Sequence, residues 1–148
     1  MRGAVASSWL FKGVETAGPT GDSAHLEGIV LTPTGRIALV SGDAAIRQSI
    51  ILLLTTRPGE RVMRPDYGCP LNRLMFLPND ATTAGLAIHY VRQALIRFEP
   101  RVDIVSLDSG PSEDDASRLV IALSYRVKAS NMIRLLDLVV GLDGSVTP

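Results

Sequence analysis

Cys69 is the only cysteine, so no internal disulfide can form and a reducing compartment is expected. The two histidines, His25 and His89, stand at unrelated positions and show no metal-ligand spacing. Neither sign of charge is in excess, because 15 Lys+Arg balance 15 Asp+Glu. A neutral chain lacks the basic footprint of non-specific nucleic-acid binding and carries no polybasic membrane signal. No apolar run approaches the ~18 residues of a membrane span. Ser7, Ser8 and Lys12 interrupt or end the apolar stretch that follows Arg2, so no signal peptide is expected. The phosphate-cradling glycine loop is missing as well, since Gly59 and Gly68 have neither the spacing nor the lysine.

What is present fits one domain of 148 residues. A chain of this length can bury roughly 68–70% of its unfolded surface, and low net charge favours association with partners. Residues 1–25 are weakly patterned, with Trp9, Leu10 and Phe11 ahead of Gly13, Gly18, Pro19 and Gly21. They read as a flexible arm preceding a domain of residues 26–148. Glu27–Leu31 and Arg36–Val40 flank Thr32-Pro33-Thr34-Gly35, whose Pro and Gly positions suit a type I turn, so a small N-terminal hairpin is expected there.

Asp43 is suited to cap a helix. Ile46, Ile50, Leu53 and Leu54 then share one helical face, and Ile51 and Leu52 widen it, as in a helix covered on two sides. Pro58-Gly59 ends it. A second helix starts at Asn79 or Asp80. Ala84, Ala87, Ile88, Val91, Ala94, Leu95 and Phe98 lie on one face, with His89, Arg92, Gln93 and Arg97 mostly opposite. Pro100 stops it. The period then changes to two. Val102–Leu107, Leu119–Lys128 and Met132–Leu142 are strands, joined by an acidic loop at Ser109–Asp115 and a turn at Lys128–Asn131. The fold class is therefore α+β, with two main helices packed on a three-stranded antiparallel sheet.

The last strand is apolar on both faces. Met132, Leu136, Leu138 and Val140 point one way, broken by Arg134; Ile133, Leu135 and Val139 point the other, broken by Asp137. A strand of this kind near a sheet edge is an aggregation hazard unless something covers it. Either the rest of the chain covers it, or a partner strand adds to it by β-augmentation.

Between the helices, residues 59–79 form a long connection dense in fixed charge, of the sort that is usually functional or disordered. Glu60, Asp66 and Glu99 are the carboxylates a glycan hydrolase would need. Arg61, Arg64 and Arg101 sit beside them in sequence, however. Neighbouring arginines favour the ionised carboxylate, whereas a general acid must hold its proton. An enzyme is therefore not expected. A docking face or an internal clasp uses the same charges more simply, since arginine pairs bidentately with carboxylates.

The segments Ile46-Arg47-Gln48-Ser49-Ile50, Leu53, Thr55, Gly59-Glu60-Arg61-Val62-Met63-Arg64-Pro65-Asp66-Tyr67-Gly68 and Glu99-Pro100-Arg101 resemble the baseplate-wedge and sheath-initiator family of contractile tails. That family occurs in contractile phages, extracellular injection particles and type VI secretion systems. The resemblance covers roughly residues 28–141. The Glu-Pro-Arg tripeptide alone is weak; its place at a helix end, after the Gly-Glu-Arg loop, makes the combination specific.

The resemblance implies a small structural domain with no cofactor, no catalytic residue and no metal. It implies six copies per baseplate, meeting wedge subunits, the sheath subunit and the inner tube or spike hub, with no nucleic acid and no direct membrane contact. The protein would remain in the cytoplasm until built into the baseplate particle. Glu60, Arg61, Arg64, Glu99 and Arg101 would face the wedge. Met132, Ile133, Arg134, Leu135, Leu136, Asp137, Leu138, Val139 and Val140 would face the sheath.

Overall fold

A computed structural model describes residues 7–9, 11–12, 28–29, 33–36, 39–142 and 146–147. The chain divides into two compact units, residues 1–49 and 50–148. The boundary expected between arm and domain, at residues 25/26, lies outside the described residues.

In the first unit, β1 (Ser7–Trp9) and β2 (Phe11–Lys12) fall within the expected arm, and β3 (Gly28–Ile29) and β4 (Leu39–Ser41) within the expected hairpin. β1 pairs antiparallel with β4 and β2 with β3. The turn after Pro33 is present, with Gly35 at φ +75°. Among the described residues β3 and β4 do not pair with each other. The local turn signal is therefore obeyed while the ladder partners come from farther up the chain.

Helix α1 (Asp43–Thr55) opens with an acidic residue in its first turn, where carboxylates are favoured by the helix dipole. Ile50, Ile51, Leu53 and Leu54 are all buried, as their spacing around the helix predicts. At its end the Thr55 and Thr56 hydroxyls donate back to the Ile51 and Leu52 carbonyls at 2.8 and 2.5 Å. Back-bonding of this kind competes with the helical ladder, and Pro58 follows.

In the second unit, a 3-10 helix at Pro70–Leu74 buries Leu71 and Leu74. Helix α2 (Ala81–Phe98) begins at the Asp80 cap, whose side chain accepts from the Thr83 amide at 2.8 Å. Its buried face is Thr83, Ala84, Ala87, Val91, Ala94 and Leu95, and it packs chiefly on β5 (Val102–Pro111). β5, β6 (Arg118–Val127) and β7 (Ile133–Gly141) form the antiparallel meander that the period-two pattern predicts. Leu119, Ile121, Leu123, Tyr125 and Val127 of β6 are buried, as are Leu136, Leu138 and Val140 of β7. A short fourth strand, β8 (Val146–Thr147), pairs with Val139 and Val140. Asn79 donates to the Ala116 and Arg118 carbonyls at 2.8 and 3.0 Å, tying the start of α2 to the acidic β5–β6 loop.

Candidate partner-binding site

The loop after α1 is closed by its own backbone. The Gly59 amide donates to the Pro65 carbonyl at 2.7 Å, and those of Arg64 and Tyr67 donate to Arg61 and Arg64 at 3.3 and 3.1 Å. The Cys69 amide donates to the Thr56 carbonyl at 2.9 Å, anchoring the loop to the helix end. Gly68 makes this approach possible: it sits at φ +128°, and a Cβ there would run into the Thr56 carbonyl oxygen. Cys69 is buried and its thiol is pushed up to about 12 by that burial, which leaves it unreactive.

Tyr67 is the hub of the charged cluster. The Arg61 guanidinium lies 4.5 Å from its ring centroid and that of Arg64 5.8 Å, within cation–π range. Phe98, at the end of α2, meets the same ring at 5.3 Å, tilted by 60°. Burial pushes the Tyr67 hydroxyl above its ordinary range; the Arg61 charge opposes this, Glu99 adds to it, and Arg64 and Arg101 oppose it. Arg61, Arg64, Glu99 and Arg101 are thus gathered around one phenol.

Glu99 is 2% exposed. Arg101 grips it as a fork, Nε to Oε1 at 2.5 Å and Nη2 to Oε2 at 2.6 Å, and this pairing raises the Arg101 pKa. Arg101 itself is 43% exposed, so Glu99 meets the surface only through it. Glu60 is exposed and accepts from the Arg57 amide at 2.9 Å. It lines a cavity of about 410 Å³ with Arg57, Cys69 and Leu71. Asp66 is bonded to Arg97 at 3.0 Å.

On β7, Ile133 and Leu135 are 59% and 75% exposed, Arg134 and Asp137 are exposed, and Val139 is half-buried. Met132, in the turn before β7, is also half exposed, and Arg134 Nη2 lies 3.8 Å from its sulfur. β6 pairs with β7 from Ile133 to Gly141, whereas β8 meets it only at Val139 and Val140. From Ile133 to Leu138 the other edge of β7 has no ladder partner among the described residues.

Reasoning from the sequence passed over Tyr67, Arg97 and Phe98 as site residues. An aromatic residue among arginines at short spacing was the available signal for Tyr67. It also passed over Val62 and Met63, two apolar residues in an otherwise polar loop, which are 91% and 93% exposed. Among the described residues no cluster of three or more His, Cys, Asp or Glu is arranged to hold a metal. Nor is any described helix long and apolar enough to cross a membrane.

The profile of the protein family described as baseplate wedge protein gp25 matches residues 40–132. The baseplate wedge protein gp25 of Enterobacteria phage T4 is 30% identical over 86 residues, 58% of this chain; the match spans 64% of that protein's length. A crystal structure from Geobacter sulfurreducens, described as a tail lysozyme, is 36% identical with a TM-score of 0.64, covering 80% of this chain and 99% of that one. A chain of the anti-feeding prophage baseplate has the same fold, with a TM-score of 0.67 at 23% identity over 84% of this chain and 86% of that one.

Proposed function

This chain belongs to the baseplate wedge protein gp25 family, and we propose that it joins the wedge to the contractile sheath and templates the first sheath ring by β-augmentation. The observation that carries this is the edge of β7, open among the described residues. Among those residues Ile133–Leu138 has no ladder partner on the side away from β6, which leaves main-chain donors and acceptors along that side for pairing. Ile133 and Leu135 add exposed apolar side chains to it. A sheath strand laid along that edge satisfies both at once. Glu60, Arg61, Arg64, Glu99 and Arg101 serve the wedge side, with Arg101 and the two loop arginines making the outward contact. Six copies per baseplate, a place near the inner tube or spike hub and assembly in the cytoplasm complete the reading.

The proline pair Arg134→Pro and Leu135→Pro tests it. Successive amides of a strand point to opposite sides, and both side chains are exposed. One variant therefore loses a donor to β6 and the other a donor to the open edge. The variant that stays folded by circular dichroism is expected to enter baseplates that fail to recruit sheath. Full sheathing of those particles would sink the augmentation reading.

The similarity to a protein described as a tail lysozyme raises a second reading, glycan hydrolysis by Glu99 with Glu60 or Asp66. Glu99 gives both oxygens to Arg101, and Asp66 is bonded to Arg97. Glu99 thus has neither oxygen left to offer a glycosidic oxygen, so the structural role is preferred. Turnover of purified peptidoglycan, abolished by Glu99→Gln, would reverse that preference.

A further inference from the structure

We propose that Arg61-Val62-Met63-Arg64, with the apolar shelf running from Phe98 to Ile96, docks an acidic amphipathic segment of another baseplate subunit. This rests on the baseplate reading above and deepens it by naming the anchors and the chemistry of what they meet. Val62 and Met63 are 91% and 93% exposed, and Met63 is held at φ +65°, a left-handed conformation costly for a side chain of its kind. The closed backbone of the loop holds that conformation in place and aims an unbranched, adaptable thioether outward. The Arg61–Arg64 turn requires positive φ at its third position, and a methionine there, where glycine would be unstrained, leaves a fully exposed apolar side chain at the tip.

Behind the tip lie two adjoining depressions of about 200 and 480 Å³ that share Asp66 and Phe98. Met63 lines the first; Tyr90 and Ile96 line the second, and Ile96 is 71% exposed. The rim is cationic. Arg61, Arg64 and Arg73 have no carboxylate within ion-pair reach among the described residues. The nearby acids are already engaged, Asp66 by Arg97 and Glu60 by the Arg57 amide. A segment that alternates apolar side chains with carboxylates fills the shelf and pairs the arginines.

A second copy of this chain fits less well. Its acidic β5–β6 loop, Ser109–Asp115, has the carboxylates but no large apolar side chain to meet Met63. Nucleic acid would satisfy the arginines and leave Val62 and Met63 in water.

The test places a photo-crosslinking amino acid at Val62, and separately at Leu135, in the full chain assembled into baseplates. The expected adduct at Val62 is a segment of a non-sheath baseplate protein with carboxylates beside the crosslinked residue. An adduct there with sheath, with nucleic acid or with a second copy, or no adduct at all, overturns the proposal. A sheath adduct at Leu135 with none at Val62 overturns the tip alone; silence at both positions overturns the baseplate reading with it. Met63→Gly supplies an independent arm. It relieves the left-handed strain, so the isolated chain is expected to melt at a higher temperature, while incorporation into baseplates falls at least about tenfold. A more stable variant that is incorporated normally would also overturn the proposal.

Discussion

Glu99 and Arg101 meet across Pro100 in a two-point fork, 2.5 and 2.6 Å long, that carries a buried carboxylate to the surface. Breaking such a pair leaves the buried charge uncompensated, which costs more than the pair contributes. Because Arg101 is partly exposed, water softens the penalty, and Arg101→Ala is expected to lose about 1–3 kcal/mol in urea unfolding. Glu99→Gln removes the charge and keeps the shape, so it is expected to lose less. The reverse order would show that the fork is not what stabilises this corner. Glu99→Ala is expected to combine a folding defect with any assembly defect, because Glu99 is buried.

Gly68 is expected to be the least replaceable glycine of the loop. Gly68→Ala drives a methyl group into the Thr56 carbonyl and disfavours the φ of +128°. The Cys69 amide bond to Thr56 must then break or lengthen. A loss of more than about 2 kcal/mol is expected, with Cys69 becoming open to alkylating reagents under native conditions. Gly59, at φ +87°, has open space where a methyl group would stand, and is expected to tolerate alanine better in the same labelling assay.

The pattern of success from sequence follows physical range. The β6 alternation Leu119, Ile121, Leu123, Tyr125 and Val127 and the α2 stripe are set by period and burial, and both were legible. The structure makes Asp80 the cap of α2, accepting from the Thr83 amide; from the sequence the helix start was legible to within one residue, Asn79 or Asp80. The partners of β3 and β4 were not, since a Pro-Thr-Gly turn speaks only for its neighbours. The two residues of β8 carry no period. The burial of Glu99 was hidden because a charged tripeptide reads as surface; Arg101 stands beside it in sequence, but only the fold brings Tyr67 to it and buries the carboxylate. The left-handed Met63 left no mark in composition, since such a position is ordinarily announced by glycine.

The Asp80 cap gives the stability a pH dependence of defined sign. Accepting the Thr83 amide bond holds the Asp80 carboxyl below its ordinary range. The folded state then binds fewer protons than the unfolded state, so stability rises with pH. The contribution is complete above the unfolded value of about 3.9 and is lost as pH falls through the lower folded value. Asp115, lowered by its bonds from Ser117, acts in the same direction. Asn caps a helix nearly as well as Asp without titrating. Asp80→Asn is therefore expected to flatten the fall in melting temperature between about pH 5 and pH 2. An unchanged slope would remove Asp80 from the account.

The edge of β7, open among the described residues, has a consequence for the free chain, before any sheath is present. Edge strands that are apolar and unpaired pair with one another, and Ile133 and Leu135 stand exposed on this one. With no net charge to keep copies apart, the purified protein is expected to self-associate as its concentration rises. A lysine on the edge is the usual protection against such pairing. Leu135→Lys is therefore expected to shift sedimentation toward the monomer without lowering the melting temperature, since Leu135 is 75% exposed and contributes little packing. If both forms sediment alike at every concentration, the edge is already closed, and the strand offered to the sheath must be sought elsewhere.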